Sequence, residues 1–249
     1  MHDTAMAPPG RELTARIERK EHIDADGERL IVLDGLELRL APGTFTCLIG
    51  PSGCGKTTTL RILMGLDDDF QGELDPVLRK ARIATVFQEP RLLPWRTVAQ
   101  NVNLALSRPD LPRVEAALTS VGLEGMGNRY PAQLSLGQAR RVALARAFAT
   151  EPEMLFLDEP FVSLDEASAG RLRDLLIELW QRRPMRVLMV THNLREAVRL
   201  ADRIVFLTER PARVAGVAEV DLPRDDRDAA AVSSFAADLA QRFPGLAVA

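Results

Sequence analysis

The chain has 249 residues, 46% of them hydrophobic, enough apolar surface for one large core or two small ones. Its 32 basic and 35 acidic residues leave a net charge of −3, which excludes a broad basic face for gripping nucleic acid. No apolar run reaches the roughly 18 residues of a membrane span, and Met1 to Lys20 lacks the apolar stretch of a secretory signal.

Residues 1–16, with Pro8, Pro9 and Gly10, read as a disordered leader. Ile31 to Leu40 alternates apolar and polar residues, the mark of half-exposed antiparallel strands. Phe45 to Ile49 (FTCLI) is a short buried strand leading into a glycine-rich turn, and Thr57 to Gly65 has helical spacing at Leu60, Leu63 and Met64. Gly65 is a plausible stop. Ile83 to Phe87, Met154 to Leu157, Val187 to Val190 and Ile204 to Leu207 are four more apolar strands. Helical patterns fill the stretch between them at Val98 to Leu106, Leu111 to Val121 and Leu136 to Phe148, so residues 91–150 form a helical insert. Asn193 to Leu200 is helix-like, and residues 214–249 are a short tail, which leaves little room for an extra regulatory domain. Strands alternating with helices predict one α/β domain over residues 1–249, with a mainly parallel sheet and helices on its faces.

Cys47 and Cys54 lack a CxxC neighbour or a histidine at ligand spacing, so they read as reduced cytosolic thiols rather than metal ligands.

Gly50, Pro51, Ser52, Gly53, Cys54, Gly55, Lys56 and Thr57 match GxxxxGK[ST] in full, between a strand and a helix. Glycines let backbone N–H groups face phosphate oxygens, and the following helix adds the positive end of its dipole. Lys56 supplies a charge for the β- and γ-phosphates, and the Thr57 hydroxyl is suited to Mg²⁺. Thr58 completes the candidate nucleotide-binding run. A bare connecting turn is the competing reading. After the strand Met154 to Leu157, Asp158 and Glu159 stand at the carboxyl edge of the sheet, where ligands bind in open α/β folds. Asp158 suits a metal and Glu159 a general base; alone, Asp-Glu-Pro is as readily an ordinary turn. Ser135 and Gln138 form a capping box at the start of a helix.

Leu134-Ser135-Leu136-Gly137-Gln138 resembles the signature segment of ABC ATPases, and five further motifs stand in that family's order. Besides the cradle and Asp158-Glu159, Gln88 resembles the Q-loop glutamine, Ser163-Leu164-Asp165 the D-loop and Thr191-His192 the switch histidine. The resemblance runs from about Ile17 to Arg213. It implies a P-loop NTPase of ABC type with an N-terminal antiparallel β subdomain, and a head-to-tail dimer around two ATP molecules with Mg²⁺. It gives Glu159, His192 and Gln88 catalytic roles, places Ser135, Gly137, Gln138 and Asp165 at the nucleotide across the dimer, and adds Gln88 and Asp158 to Thr57 as metal ligands.

Two positions depart from the family. Leu136 replaces the first signature glycine, which a helix N1 site should tolerate since it needs no positive φ, and the aromatic residue for adenine is replaced by His22 or Ile23. Glu89 to Trp95 resembles importer ATPases for nitrate, sulfonates and taurine. That likeness implies an importer motor on the cytoplasmic face of the membrane, with permease subunits and an extracytoplasmic substrate-binding protein as partners. An exporter ATPase, or a soluble ABC ATPase without transport, is the alternative. Leu92, Leu93 and Trp95 either floor a groove for a permease helix or pack inside the insert.

Overall fold

The computed structural model describes residues 10–23 and 27–246. Most of the expected leader lies outside the described residues, but β1 (Leu13–Ile23) begins within its last part. Leu13, Ala15 and Ile17 point inward on alternate positions, which is why this stretch is a strand rather than a solvated arm.

The chain divides into two compact units, residues 1–81 with 186–249, and residues 82–185. In the first unit β1 lies between β2 (Arg29–Leu40) and β4 (Gln71–Leu74), antiparallel to both. Lys20 is buried at a register shift of β1, where its Nζ donates to Asp67 Oδ1 at 2.8 Å and to the Asp69 carbonyl at 2.6 Å. A buried ammonium is tolerated only with such partners.

The second sheet of this unit is built around β3 (Phe45–Ile49), which runs parallel to β7 (Arg186–Thr191) on one side and β8 (Arg203–Leu207) on the other. All five residues of β3 are buried, as a central parallel strand covered on both faces requires. Its exit leads to α1 (Lys56–Leu63), and the exit of β7 leads to α6 (Leu194–Leu200). The expected short tail is an ordered continuation. β9 (Val214–Glu219) pairs antiparallel with β8, and α7 (Ala229–Arg242) follows with Asp228 as its cap. Val232, Ala236 and Leu239 bury one face of α7, and Phe243 stacks on Phe206 with ring centroids 4.2 Å apart. Alanine dominates α7, so its apolar stripe is weak in the sequence and the helix went unforeseen.

In the second unit β5 (Ile83–Val86) and β6 (Met154–Asp158) pair in parallel, with Val86 opposite Leu157. The helices are α2 (Val98–Asn103), α3 (Leu111–Ser120), α4 (Leu136–Ala149) and α5 (Glu166–Arg182). Thr97, Asp110, Ser135 and Asp165 cap them, each accepting a backbone N–H from the residue three positions on.

Candidate functional site

The cradle begins where β3 ends. Gly53 and Gly55 have φ of 75° and 122°, a region closed to most side chains. A Cβ on Gly55 would come within 2.7 Å of Leu33 Cδ2 and 3.0 Å of Val32 Cγ1, so the loop is pressed onto β2. Gly55 also precedes α1, whose first residue is Lys56. Lys56 is buried, and its Nζ donates to the carbonyls of Gly50 at 2.7 Å and Pro51 at 2.9 Å, lying along the inside of the loop. Thr57 is exposed and Thr58 half-buried on the next positions of α1.

Cys54 is buried in the same loop. Burial pushes its thiol up, partly offset by the charge of Lys56. Burial pushes Cys47, inside β3, up further, and both cysteines are free thiols. Arg210, beyond β8, donates to the Gly53 carbonyl from outside the loop. The sequence drew no attention to Arg210, because the contact spans 157 positions.

His192 lies level with the cradle, because Ile49, the last residue of β3, is opposite Thr191. The turn that presents it is fixed on both sides. Thr191 Oγ1 donates to Glu196 and accepts from the Asn193 N–H at 3.1 Å, while Asn193 caps α6. His22 and Ile23, the residues expected in place of the adenine-stacking aromatic, are both exposed at the end of β1.

The second unit repeats the arrangement with different residues. Gln88 and Glu159 each come two positions after the paired residues Val86 and Leu157, at the carboxyl ends of β5 and β6. Asp158 and Glu159 are half-buried, and Gln88 is exposed. Glu159 has φ 45° and Ser163 φ 66°, two non-glycine residues in the left-handed region within one turn. Such geometry costs on the order of 1–3 kcal/mol and persists where the surroundings impose it.

The turn between them is held by Arg140 of α4, whose guanidinium donates to the carbonyls of Pro160 at 2.9 Å and Val162 at 2.8 Å. Arg140 has the helical spacing of the buried Ala143, Leu144 and Ala147, and that periodicity was the signal available in the sequence.

Ser135 and Gln138 form the expected capping box. Gln138 N–H donates to Ser135 Oγ at 3.2 Å, and Ser135 N–H donates to Gln138 Oε1 at 2.9 Å. Leu136 is the first residue of α4, 43% exposed, and is not among the residues with positive φ. A Cβ on Gly137 would meet nothing within 4 Å. A glycine here answers no steric need within this chain. Asp165 is exposed and caps α5, accepting from Ser168 N–H at 2.9 Å; hydrogen bonds from Ser168 hold its carboxyl below the usual range.

The loop after Gln88 is pinned from within its own unit. Asn101 is fully buried and bonds the backbone of Leu93, Arg96 and Thr97, while Arg146 donates to the carbonyls of Pro90 and Arg91. Leu92 and Leu93 are half-buried, and Trp95 is 69% exposed on this rigid loop.

Thr57 in the first unit carries a hydroxyl, and Gln88 and Asp158 in the second carry an amide and a carboxylate, hard oxygen donors of the kind Mg²⁺ prefers. Among the described residues no group of three or more His, Cys, Asp or Glu could hold a metal ion by itself.

The sequence profile of the ABC transporter family matches residues 33–162. The aliphatic sulfonates import ATP-binding protein SsuB 2 of Pseudomonas syringae pv. syringae is 51% identical over 195 residues, covering 78% of this chain and 69% of that protein. SsuB 2 of Burkholderia cenocepacia is 43% identical over 249 residues, covering 96% and 90%. The dimeric bacterial ABC transporter cassette MJ0796 superposes with a TM-score of 0.72 at 29% identity, covering 83% of this chain and 98% of that one. A dimeric post-hydrolysis state of the same cassette, bound to ADP and Pi, gives 0.71 at 28% identity, with the same coverage. With the cradle, the capped signature helix and the carboxylate turn in place, the chain belongs to the ABC transporter family as one of its ATP-binding, ATP-hydrolysing subunits.

Proposed function

We propose that this subunit drives import of a small organic anion, an aliphatic sulfonate first of all, from the cytoplasmic face of the membrane. The 51% identity to a sulfonates import protein carries the substrate class. No helix among the described residues is long and apolar enough to cross a membrane, which agrees with a peripheral subunit on a separate permease. The exposed Trp95, on a loop fixed by Asn101 and Arg146, supports the reading of that loop as the permease-facing surface. An extracytoplasmic substrate-binding protein would deliver the anion to the permease.

Two copies would close head to tail over two ATP molecules. Lys56 and the cradle N–H groups hold the phosphates of one nucleotide, and Ser135 and Gly137 of the other copy approach its γ-phosphate. The open space at Gly137 supports that approach. Glu159 takes the proton of the attacking water, and His192 and Gln88 orient that water and the γ-phosphate. Thr57, Gln88 and Asp158 would hold Mg²⁺, which would supply charge neutralisation for the phosphates. Asp165 reaches the second copy from the D-loop.

Uptake of a radiolabelled alkanesulfonate tests both transport and chemistry. A strain lacking the gene is expected to lose uptake, the wild-type gene to restore it, and Glu159→Gln to restore about 1% or less, as loss of a general base costs on the order of 10²–10⁴ in rate. Uptake that survives deletion overturns the substrate. Normal uptake with Glu159→Gln overturns the base.

A further inference from the structure

We infer that Arg140 is a positioning residue for hydrolysis, tying the signature helix α4 to the turn that carries Glu159. The inference rests on the proposed role of Glu159 as general base.

Arg140 lies on the buried face of α4 at 3% exposure, where a guanidinium is costly unless its donors are met. No carboxylate within ion-pair distance meets them among the described residues. Its two terminal nitrogens are spent on backbone carbonyls, those of Pro160 and Val162, and its buried Nε has no partner. A structural arginine kept for charge balance would face a carboxylate. This one faces the backbone of a single turn; burial lowers its pKa from the ordinary arginine value, partly offset by the charge of Glu89, next to Gln88.

Two backbone bonds within the turn are long, the second from Leu164 N–H to the Phe161 carbonyl at 3.3 Å. The first, from Val162 N–H to the Glu159 carbonyl, is 3.4 Å, near the outer limit. Its two ends, Glu159 and Ser163, are both left-handed. Phe161 is buried beneath the turn, with the Arg173 guanidinium 6.0 Å from its ring centroid. The planar fork of Arg140 spans two carbonyls two residues apart, so it sets the position of the whole turn, and Glu159 with it. A lysine can reach only one carbonyl at a time.

The consequence concerns communication between sites. The N-terminus of α4 carries Ser135 and Gly137, which serve the nucleotide held by the other copy, while Glu159 serves the nucleotide held by its own. Arg140 lies between the two, one helical turn and a half into α4. Engagement of one nucleotide therefore adjusts the base at the other through this guanidinium.

The test uses the purified full chain, with Arg140→Gln and Arg140→Lys made in the wild-type and Glu159→Gln backgrounds. Steady-state ATP hydrolysis, ATP binding and thermal midpoints are measured for each. Arg140→Gln is expected to lower kcat about 10- to 100-fold, the range for a small displacement of a reacting group, with the KM for ATP within about threefold. Arg140→Lys should recover part of the rate, and the Hill coefficient for ATP should fall towards one in both. In the Glu159→Gln background, Arg140→Gln should change the residual rate by less than about twofold, because its effect runs through Glu159.

A raised KM with unchanged kcat overturns the inference, and so does an equal loss in both backgrounds. Should Arg140→Gln fail to fold, the lysine variant decides, and wild-type kcat in it overturns the tie. An inert Glu159→Gln beside a fully active Arg140→Gln sinks this inference alone. An active Glu159→Gln sinks the base assignment and takes the inference with it.

Discussion

After β3 the chain bends through Gly53 and Gly55, at φ 75° and 122°, whereas after β6 it bends through Glu159 and Ser163, at φ 45° and 66°. Both bends leave the carboxyl end of a parallel strand, and both enter conformations that L-residues avoid. The first does so by removing side chains. The second keeps them and is held from outside by Arg140. Chemistry dictates the choice. A cradle works through backbone N–H groups, so a Cβ there is only an obstacle. Under the proposed role of Glu159 as base, the residue that carries the carboxylate cannot be glycine, and its strain must be met by another residue.

Gly55→Ala attacks the first bend where it is tightest. The new Cβ would lie 2.7 Å from Leu33 Cδ2, at φ 122°. Strain and overpacking together should cost about 3 kcal/mol in urea unfolding, with nucleotide affinity lowered at least tenfold. Wild-type stability and affinity would mean that the cradle is not shaped by missing side chains, and the contrast would collapse.

Ser163→Gly sharpens the contrast from the other side. Glycine relieves the left-handed strain at Ser163, so stability should stay level or rise by up to about 1 kcal/mol. Turnover should fall severalfold, because the turn is now held at one end less firmly. A variant that gains both stability and turnover would show that the strain at Ser163 has no part in aiming Glu159.

The contrast also explains what could be read from the sequence. The cradle is a local pattern, and a strand, eight motif residues and a helix lie within Phe45 to Leu63. The box of Ser135 and Gln138 spans three positions, and the strands around β3 show as apolar runs because both faces are covered. Arg140 acts across 20 positions on Pro160, and Arg210 across 157 on Gly53. Partners that far apart leave no mark on neighbouring residues, although helical periodicity places Arg140 on the buried face of α4. α5 was missed although Asp165 caps it, since the D-loop reading absorbed that aspartate. β1 was missed because alternation in Leu13 to Ile23 is broken by the inward Lys20.

Asp165 offers the smallest effect and separates two uses of one carboxylate. Bonds from the Ser168 side chain and backbone hold its pKa below the ordinary 3.8 in the folded chain. A depressed carboxylate contributes stability above its unfolded pKa and loses it as pH falls through the folded one. The contribution should therefore be complete at pH 5 and partly lost at pH 3. Asp165→Asn can still accept the Ser168 N–H but has no charge to lose, as asparagine caps helices about as well as aspartate. Urea midpoints should thus fall further between pH 5 and pH 3 for the wild type than for the variant. Equal falls would mean that the ionised carboxyl adds nothing to the cap. ATP hydrolysis at pH 7 then completes the separation. If Asp165→Asn keeps its midpoint and also its turnover, the cap is the whole purpose of this residue. If it keeps its midpoint and loses turnover, the charge serves the second copy across the dimer, a use for which the cap only sets the direction.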